Sequence, residues 1–234
     1  MLAAVSSPLS AGVIVGGGSG KRFGGDKLSI SLFGKPLLAW SLLAFEQTLT
    51  ISCIVVVAPA GCEEKFHEIA QEAGITKLLT IVTGGAHRHE SVALGLRALP
   101  ASVELAAIHD AARPLVSSEL IVRCLQAATL NKWGASAAAI PVTDTLHQAD
   151  PEQCAARTVD RMGLWAMQTP QVFHAAKLTK LLNEVGADQP TDEVSIVLAA
   201  GWSVPFVENL HPNLKVTWPE DFTVAEAILK NRSL

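Results

Sequence analysis

Short apolar segments alternate with longer amphipathic ones along most of the chain. The short segments are rich in β-branched residues, as in buried strands, and we predict strands over 12–15, 52–58, 78–83, 105–109 and 135–141. The amphipathic segments have helical spacing, and we predict helices over 36–47, 62–73, 87–99 and 118–130. Strands that alternate with helices form right-handed crossovers. The pattern therefore predicts an α/β fold, with a mainly parallel twisted sheet flanked by helices on both faces.

This regularity stops over residues 142–163, which are more polar and show no helical period. Two short strands around 145–148 and 157–160 would form an extended hairpin, an arm of the kind that often contacts a partner subunit. Trp165 and the run 168–171 are interpreted as packing and turn residues. Further on we predict helices over 175–186, 191–201 and 219–232, and strands over 204–207 and 214–217. The chain is thus predicted to be one domain over 1–234 with an arm at about 142–163.

Composition excludes several classes of protein. No apolar run in the 234 residues approaches the roughly 20 residues that would span a bilayer. A net charge of −4 provides no general basic surface for nucleic acid. The four cysteines are scattered, without a Cys-x-x-Cys pair, which argues against a structural zinc site and fits reduced thiols. We expect a cytoplasmic protein with neither a membrane nor a nucleic acid as its partner.

A glycine-rich loop with interleaved cations follows the first predicted strand, over residues 16–27. Glycines let backbone N–H groups approach an anion, and the cations add charge for phosphate oxygens. The loop is not a P-loop, because Val15 stands where the first glycine is required and Arg22 where Ser or Thr is required. Nor is it a dinucleotide fingerprint, because Lys21 or Phe23 occupies the third glycine position. It predicts a polyphosphate site at the sheet edge where α/β proteins bind nucleotides.

Two further polar clusters follow predicted strands at the same edge. Asp110 could hold a divalent cation or a ribose hydroxyl, and Arg113 could clamp a phosphate or carboxylate. A turn-capping Asp110 paired with a surface Arg113 explains these residues equally well. The second cluster, 84–91, offers two glycines for backbone contacts and Ser91 at the start of a helix. The run 191–193 is interpreted as the capped start of a helix.

Nine ordered segments resemble those of the 2-C-methyl-D-erythritol 4-phosphate cytidylyltransferase family, and they extend over about 12–227. They are Gly-Gly-Gly-Ser-Gly-Lys-Arg-Phe, Lys27, Gly-Gly-x-x-Arg-x-x-Ser-Val, His-Asp-Ala-Ala-Arg-Pro, Pro-Val-x-Asp-Thr, Thr-Val-Asp-Arg-x-Gly-Leu-Trp, Thr-Pro-Gln-x-Phe, Thr-Asp-Glu-x-Ser and Asn-Leu-Lys-Val-Thr-x-Pro-Glu-Asp. The resemblance implies a Rossmann-like nucleotidyltransferase fold. It also implies that CTP, bound with Mg²⁺ or another divalent cation, gives its cytidylyl group to methylerythritol phosphate. Pyrophosphate would leave, and 4-diphosphocytidyl-2-C-methyl-D-erythritol, a precursor in non-mevalonate isoprenoid synthesis, would form.

The resemblance also implies a role for each matching residue. The catalytic residues would be Arg22, Lys27, Arg161 and Lys215. CTP would contact Gly16, Gly17, Gly18, Ser19, Gly20, Gly85, Ser91 and Asp110, with Asp110 also beside the metal. The acceptor phosphate would contact Arg113, Thr145, Arg161 and Lys215. In this family the arm exchanges between two subunits, so a homodimer formed through the arm is expected.

Three departures from the family pattern accompany these matches: Gly16-Gly17 replaces two alanines, Ala86 replaces a frequent acidic residue, and Trp218 replaces a common arginine. The loop before Lys27 is also about two residues shorter than is usual in the family. The nearest alternative is a ribitol-5-phosphate cytidylyltransferase. Others are a nucleotidyltransferase for another base, and a nucleotide-binding protein without catalytic activity.

Overall fold

The structure, a computed structural model, describes residues 8–17, 26–185 and 190–232. Its strands are β1 (Ser10–Val15), β2 (Ser31–Leu32), β3 (Lys35–Pro36), β4 (Ile51–Ala58), β5 (Leu78–Thr83), β6 (Leu105–Asp110), β7 (Ala135–Pro141), β8 (Leu146–Ala149), β9 (Ala155–Val159), β10 (Trp165–His174) and β11 (Phe206–Glu208). Its helices are α1 (Leu37–Glu46), α2 (Glu63–Glu72), α3 (Arg88–Arg97), α4 (Ser118–Leu130), α5 (Ala175–Glu184), α6 (Glu193–Ala199) and α7 (Glu220–Arg232). The elements predicted before residue 142 lie within about two residues of these bounds.

Seven of the described strands form one sheet in the order β11-β7-β10-β6-β1-β4-β5. Neighbouring strands run parallel, except that β10 is antiparallel to both β6 and β7. The chain passes from β1 to β4 and β5 on one side, whereas β6 lies on the other side of β1. Strand order therefore reverses beside β1, and the crevice at the carboxyl ends of β1 and β6 is the place where open α/β sheets bind ligands.

Helices cover both faces of the sheet, as predicted. Alternate side chains of a strand point to opposite faces. Ile14 belongs to a core cluster that includes residues of α1, α2, α4 and α7, whereas Val13 belongs to another that includes residues of α3, α5 and α6. The α3 helix lies very close to the sheet at Gly95. A Cβ atom there would come within 2.6 Å of Val13 Cγ1 and 2.9 Å of Val57 Cγ2. At this position α3 therefore packs directly against β1 and β4.

The β10 strand corrects the interpretation of Trp165 and residues 168–171 as packing and turn residues. Ten residues form a strand inserted between β6 and β7. Its pairing with β7 is irregular between Met167 and Gln171, so Gln168, Thr169 and Pro170 form a bulge. The sequence pattern concealed the strand because Gln168, Thr169 and Gln171 are buried polar residues, which break the apolar run expected of a central strand.

The predicted arm is present as a two-stranded sheet in which β8 and β9 pair antiparallel. Its residues are almost all exposed. At its base the Val142 N–H donates to the Leu164 carbonyl at 3.0 Å, so the arm leaves the main sheet just after β7 and returns just before β10. Its role at a subunit interface and the one-domain interpretation stay predictions. Within the described residues, no helix is both long and apolar enough to cross a bilayer.

The C-terminal third contains two further corrections. The strand predicted over 204–207 is displaced to β11, at the edge of the sheet. The strand predicted over 214–217 is wrong: this segment joins no sheet, and the Val216 N–H donates to the Ala112 carbonyl at 2.8 Å. Ala112 lies in a turn after β6, and a turn cannot provide the ladder of hydrogen bonds that defines a strand. The predicted helix cap is confirmed, since the Asp192 carboxylate accepts from Ser195 N at 3.0 Å.

Candidate active site

Asp110, the last residue of β6, lies at the centre of a cluster of cations at the carboxyl edge. Its Oδ1 accepts from Arg88, at 3.2 Å from Nη2 and 3.4 Å from Nε. Its Oδ2 accepts from Lys215 Nζ at 2.8 Å and lies 3.8 Å from Arg113 Nε. The Arg88 Nη1 also donates to Glu193 Oε1 at 2.6 Å. Among the described residues, three cations and two carboxylates thus share one site, which leaves an excess of one positive charge.

The charge state of Asp110 follows from its neighbours. Burial favours the neutral acid, yet the adjacent Arg88, Lys215 and Arg113 cations lower the pKa of Asp110 well below its ordinary value. The side chain is therefore an ionised carboxylate at neutral pH. Its 12% exposed surface opens the group to a ligand at the sheet edge. Such a cluster can bind an anion through the cations and a divalent cation through the carboxylate.

A chain of hydrogen bonds fixes the backbone around Asp110. The Asp110 N–H donates to Thr169 Oγ1 at 3.1 Å, and Thr169 Oγ1 lies 2.9 Å from His109 Nδ1. The His109 Nε2 is 3.2 Å from the Arg113 carbonyl, which can only accept, so Nε2 carries the proton and Nδ1 accepts from the threonine hydroxyl. The bulge in β10 thus directs Thr169 at the turn that carries Asp110 and Arg113.

The buried His109 predicts an acid-sensitive fold. Burial lowers the pKa of His109 from 6.5 to about 4. The unfolded chain takes up this proton near pH 6.5 while the folded protein does not, so the free energy of unfolding decreases as the pH falls from 6.5 to about 4. We expect His109 to contribute a loss of about 3 kcal/mol over this interval.

Urea unfolding at several pH values between 7 and 4 would measure this loss. His109→Gln, whose amide N–H can still donate to the Arg113 carbonyl, removes the titrating group and should flatten the pH dependence. Burial raises the pKa of Glu193, whose contribution therefore has the opposite sign, so the difference between the two proteins is the decisive quantity. Equal pH slopes in both proteins would contradict the prediction.

Lys27 reaches the same edge from a different part of the chain. Its Nζ donates to the Val216 carbonyl at 2.6 Å. Because Lys215 precedes Val216, this hydrogen bond brings the end of the glycine-rich loop and the C-terminal segment together. The Arg113 Nη1 donates to the Asn213 carbonyl at 2.8 Å and holds the same segment from the other side. The segment 213–216 is therefore fixed by cations of the site together with the Val216–Ala112 hydrogen bond, and not by a sheet partner.

Glycines that follow β1 and β5 lie around Ser91 at the carboxyl edge. The Gly85 N–H donates to Ser91 Oγ at 3.1 Å, and the Ser91 hydroxyl donates to the His87 carbonyl at 3.2 Å. A Cβ at Gly84 would lie 2.9 Å, and one at Gly17 3.1 Å, from Ser91 Oγ. Ser91 is 1% exposed. The Ser91 hydroxyl thus fixes the backbone of Gly85. Gly17 and Gly84, which have no Cβ, leave space for this buried hydroxyl.

The structure brings some of the predicted site residues together and leaves others apart. Those at the common edge are Gly16, Gly17, Lys27, Gly85, Ser91, Asp110, Arg113 and Lys215. Thr145 and Arg161 are exposed in the arm, where the Arg161 guanidinium donates to the Thr143 carbonyl at the base of the hairpin. Outside the described residues lie Gly18, Ser19, Gly20 and Arg22.

Sequence reasoning gave no role in the site to four residues of this network: Arg88, His109, Thr169 and Glu193. One signal could have identified Arg88, which is the first residue of α3. A cation there opposes the positive end of the helix dipole, so a carboxylate partner is expected. The sequence predicts for Glu193 only a place at the start of a helix. Glu193 is indeed the first residue of α6, directly after the Asp192 cap, and it is also fully buried against Arg88.

This combination of fold and site defines a class of protein. A mostly parallel open sheet with an ionised carboxylate and several cations at the point where strand order reverses is typical of nucleotide-binding α/β enzymes. The family model described as IspD, 2-C-methyl-D-erythritol 4-phosphate cytidylyltransferase, matches residues 11–231. The chain belongs to this family and is a nucleotidyltransferase, so the resemblance drawn from the sequence segments is confirmed.

Individual relatives agree with the family assignment. The 2-C-methyl-D-erythritol 4-phosphate cytidylyltransferase of Synechococcus elongatus is 39% identical over 94% of this chain and 96% of its own length. The protein of the same name from Acaryochloris marina is 40% identical over 94% of each chain.

Among solved structures, the 2-C-methyl-D-erythritol 4-phosphate cytidylyltransferase of Thermus thermophilus matches with a TM-score of 0.73 and 32% identity, over 94% of this chain and 99% of its own. The 4-diphosphocytidyl-2C-methyl-D-erythritol synthase of Anaerococcus prevotii matches with a TM-score of 0.83 and 25% identity, over 96% of this chain and 97% of its own. The predicted nucleotidyltransferase fold is therefore confirmed.

Proposed function

We propose that the Asp110 site transfers the cytidylyl group of CTP to the phosphate of 2-C-methyl-D-erythritol 4-phosphate. The observation that carries the proposal is the ionised carboxylate of Asp110 among Arg88, Arg113 and Lys215, at the edge where the fold binds nucleotides. The family names the substrate and the transferred group. Two anionic phosphates must come together for this reaction, and a cluster of cations lowers their mutual repulsion.

The chemistry requires positioning and charge rather than a base. A phosphate monoester, with a second pKa near ~6, is mostly dianionic at neutral pH. One of its oxygens forms a bond to the α-phosphorus of CTP while the bond to the β-phosphate oxygen breaks. Pyrophosphate leaves with the bonding electron pair. Catalysis therefore depends on alignment of the two phosphates and on stabilisation of the charge that develops around the α-phosphorus.

The proposal distributes the cations between the two substrates. Lys27, with Arg22 of the glycine-rich loop, stabilises the α-phosphate and the leaving pyrophosphate. Lys215 and Arg113 face the acceptor phosphate, and their anchoring to the Asp110 turn supports this assignment. Gly85 holds the base through its backbone, while the contacts of Ser91 support an indirect role behind Gly85.

A divalent cation, Mg²⁺ above all, fits the residues present. Mg²⁺ in nucleotide enzymes is bound by one or two carboxylates, with phosphates and water as the other ligands. Asp110 supplies one ionised carboxylate, and no group of three metal-binding side chains occurs in the part of the chain that is described. Asp110 would thus hold the ion together with the CTP phosphates. When bound, Mg²⁺ neutralises phosphate charge, which the surrounding cations also do.

Thr145 and Arg161 are exposed residues of the arm, and the Arg161 guanidinium donates to the Thr143 carbonyl. We propose that they act on the acceptor phosphate in the site of a second copy, in a homodimer formed through the arm. The support for this is the protrusion of β8 and β9 from the main sheet as a separate sheet. We also propose that the protein is cytoplasmic.

The decisive experiment for the function is a comparison of acceptors. Purified protein with CTP and Mg²⁺ should release pyrophosphate when 2-C-methyl-D-erythritol 4-phosphate is added, and far less with ribitol 5-phosphate. Pyrophosphate and the cytidine diphosphate alcohol should form in equal amounts. Pyrophosphate release with ribitol 5-phosphate alone would identify the chain as the alternative, a ribitol-5-phosphate cytidylyltransferase. No pyrophosphate release with either acceptor would contradict a catalytic function.

The arm assignment makes a separate prediction. Arg161→Ala removes a charged hydrogen-bond donor, so we expect the KM for the acceptor to increase by roughly tenfold to a hundredfold, with the KM for CTP nearly unchanged. Steady-state kinetics with each substrate varied in turn would measure both constants. Arg157→Ala is the matched control, because Arg157 is an exposed arginine of the same hairpin and donates to Gln148 Oε1 at 2.6 Å. An effect confined to CTP would show that the assignment is wrong.

A further inference from the structure

Glu193 is a fully buried carboxylate whose place at the start of α6 is fixed from two directions. The preceding residue, Asp192, caps the helix through Oδ1 and accepts from Gln171 Nε2 through Oδ2 at 3.0 Å. Since Gln171 belongs to β10, the first turn of α6 is tied to the central sheet. The Glu193 side chain therefore reaches Arg88 from a rigid position.

Arg88 connects Glu193 to Asp110 through two different edges of one guanidinium group. Its Nη1 donates to Glu193 Oε1 at 2.6 Å, while Nε and Nη2 face Asp110 Oδ1 at 3.4 and 3.2 Å. A planar group held at two edges has a defined orientation as well as a defined position. The Asp110 carboxylate is in turn held through Oδ1, and its Oδ2 is directed at Lys215.

Stability alone is a weak reason to bury this pair. Taking an arginine and a glutamate out of water costs about as much as their attraction returns, and apolar residues of similar volume often serve equally well. The Glu193 Oε2 has no hydrogen-bond partner among the described residues, which adds to the cost. The arrangement instead fixes a geometry: the contact with Glu193 determines which oxygen of Asp110 faces the Arg88 guanidinium.

We infer that Glu193 is a positioning residue for nucleotide binding: by sharing Arg88 it limits the hold of Arg88 on Asp110 and leaves the Asp110 carboxylate available to the divalent cation of CTP. The inference rests on the proposed function. Without the Glu193 charge, Arg88 is held less firmly at its Nη1 edge and can close on Asp110. The bound cation then has to compete with a tighter ion pair.

Glu193→Gln tests this, because glutamine has the same shape and can still accept from Arg88 but carries no charge. CTP affinity is measured by calorimetry with Mg²⁺ and with EDTA. In the natural protein Mg²⁺ should strengthen CTP binding, and in the variant this gain should fall by roughly tenfold, about 1.4 kcal/mol. Affinity without Mg²⁺ should stay within about twofold of the natural value, and turnover at saturating substrates should change much less than the KM for CTP.

Glu46→Gln is the matched control. Glu46 is a carboxylate outside the site that accepts from Thr76 Oγ1 at 2.5 Å and from Lys77 N at 3.0 Å. This variant therefore measures the effect of losing a hydrogen-bonded carboxylate charge elsewhere in the protein. Thermal melting establishes that each variant folds. A second pair, Arg88→Met alone and combined with Glu193→Gln, should show equal CTP binding, because Glu193 acts through Arg88.

Three results would overturn the inference. The Mg²⁺-dependent gain could be unchanged in Glu193→Gln, or CTP affinity could fall equally with and without Mg²⁺, or Glu193→Gln could weaken binding further in the Arg88→Met background. A natural protein that binds no CTP under either condition would instead overturn the proposed function, and the inference with it. If Arg88→Met does not fold, the comparison of Glu193→Gln with Glu46→Gln decides the matter.

Discussion

Replacement of Asp110 by asparagine is expected to reduce kcat/KM by at least about a hundredfold while the protein still folds. The substitution keeps the shape of the side chain but removes the charge that balances Arg88, Arg113 and Lys215. The remaining cations then repel one another and the divalent cation of the nucleotide. Steady-state kinetics over a range of Mg²⁺ concentrations would measure the loss, which a higher Mg²⁺ concentration should only partly restore.

The same substitution should also destabilise the protein, because it breaks a buried ion-pair cluster. Removing one partner of such a cluster costs about 3–5 kcal/mol, which urea unfolding can measure. Asp150→Asn is a suitable control, since the Asp150 carboxylate accepts from the Cys154 N–H at 2.8 Å in the arm and lies away from the cations of the site. An Asp110→Asn enzyme with turnover within tenfold of the natural one would show that the carboxylate is not central to the reaction.

Lys27→Ala is expected to lower kcat by roughly a hundredfold to a thousandfold and to change CTP affinity much less. The reason is that a cation at the α-phosphate interacts more strongly with the charge of the transition state than with that of bound CTP. Single-turnover kinetics combined with equilibrium binding of CTP would separate the two quantities. An equal loss in both would mean that Lys27 only binds the nucleotide.

The hydrogen bond from Lys27 to the Val216 carbonyl makes a second variant necessary. Lys27→Ala releases the segment next to Lys215, so it could act by misplacing Lys215. Lys27→Gln keeps an N–H donor for that carbonyl and removes the charge. If charge is what matters, Lys27→Gln should be about as slow as Lys27→Ala; recovery of turnover in Lys27→Gln would identify Lys27 as a structural anchor for Lys215.

The sequence predicted the parallel part of the sheet and its helices because the buried positions there appear as apolar residues at regular spacing. β4 is a mostly apolar run buried along most of its length, and α4 begins and ends at the predicted residues. The glycine-rich loop and Asp110 could be placed at one edge because the carboxyl ends of parallel strands meet there. Local pattern and topology were sufficient for these elements.

The elements that sequence reasoning missed are stabilised by long-range polar contacts. Gln168 and Thr169 are buried in β10 because partners far along the chain satisfy them: Gln168 Oε1 accepts from Asn209 Nδ2 at 2.9 Å, and Thr169 bonds to Asp110 and His109. The separation of 105 positions between Arg88 and Glu193 likewise leaves no local trace of their contact. A polar residue can be predicted to be buried only when its partner is known.

The short passage from the arm into β10 has a mechanical consequence. Only residues 160–164 separate β9 from β10, and the Leu164 N–H closes them into a turn by donating to the Arg161 carbonyl at 3.0 Å. Within the first half of β10, Thr169 then holds the backbone of Asp110. A displacement of the arm would therefore reach the turn that carries the carboxylate through the first half of β10 and the Thr169 contact. The arm thus connects a contact made at the hairpin with the backbone that carries Asp110.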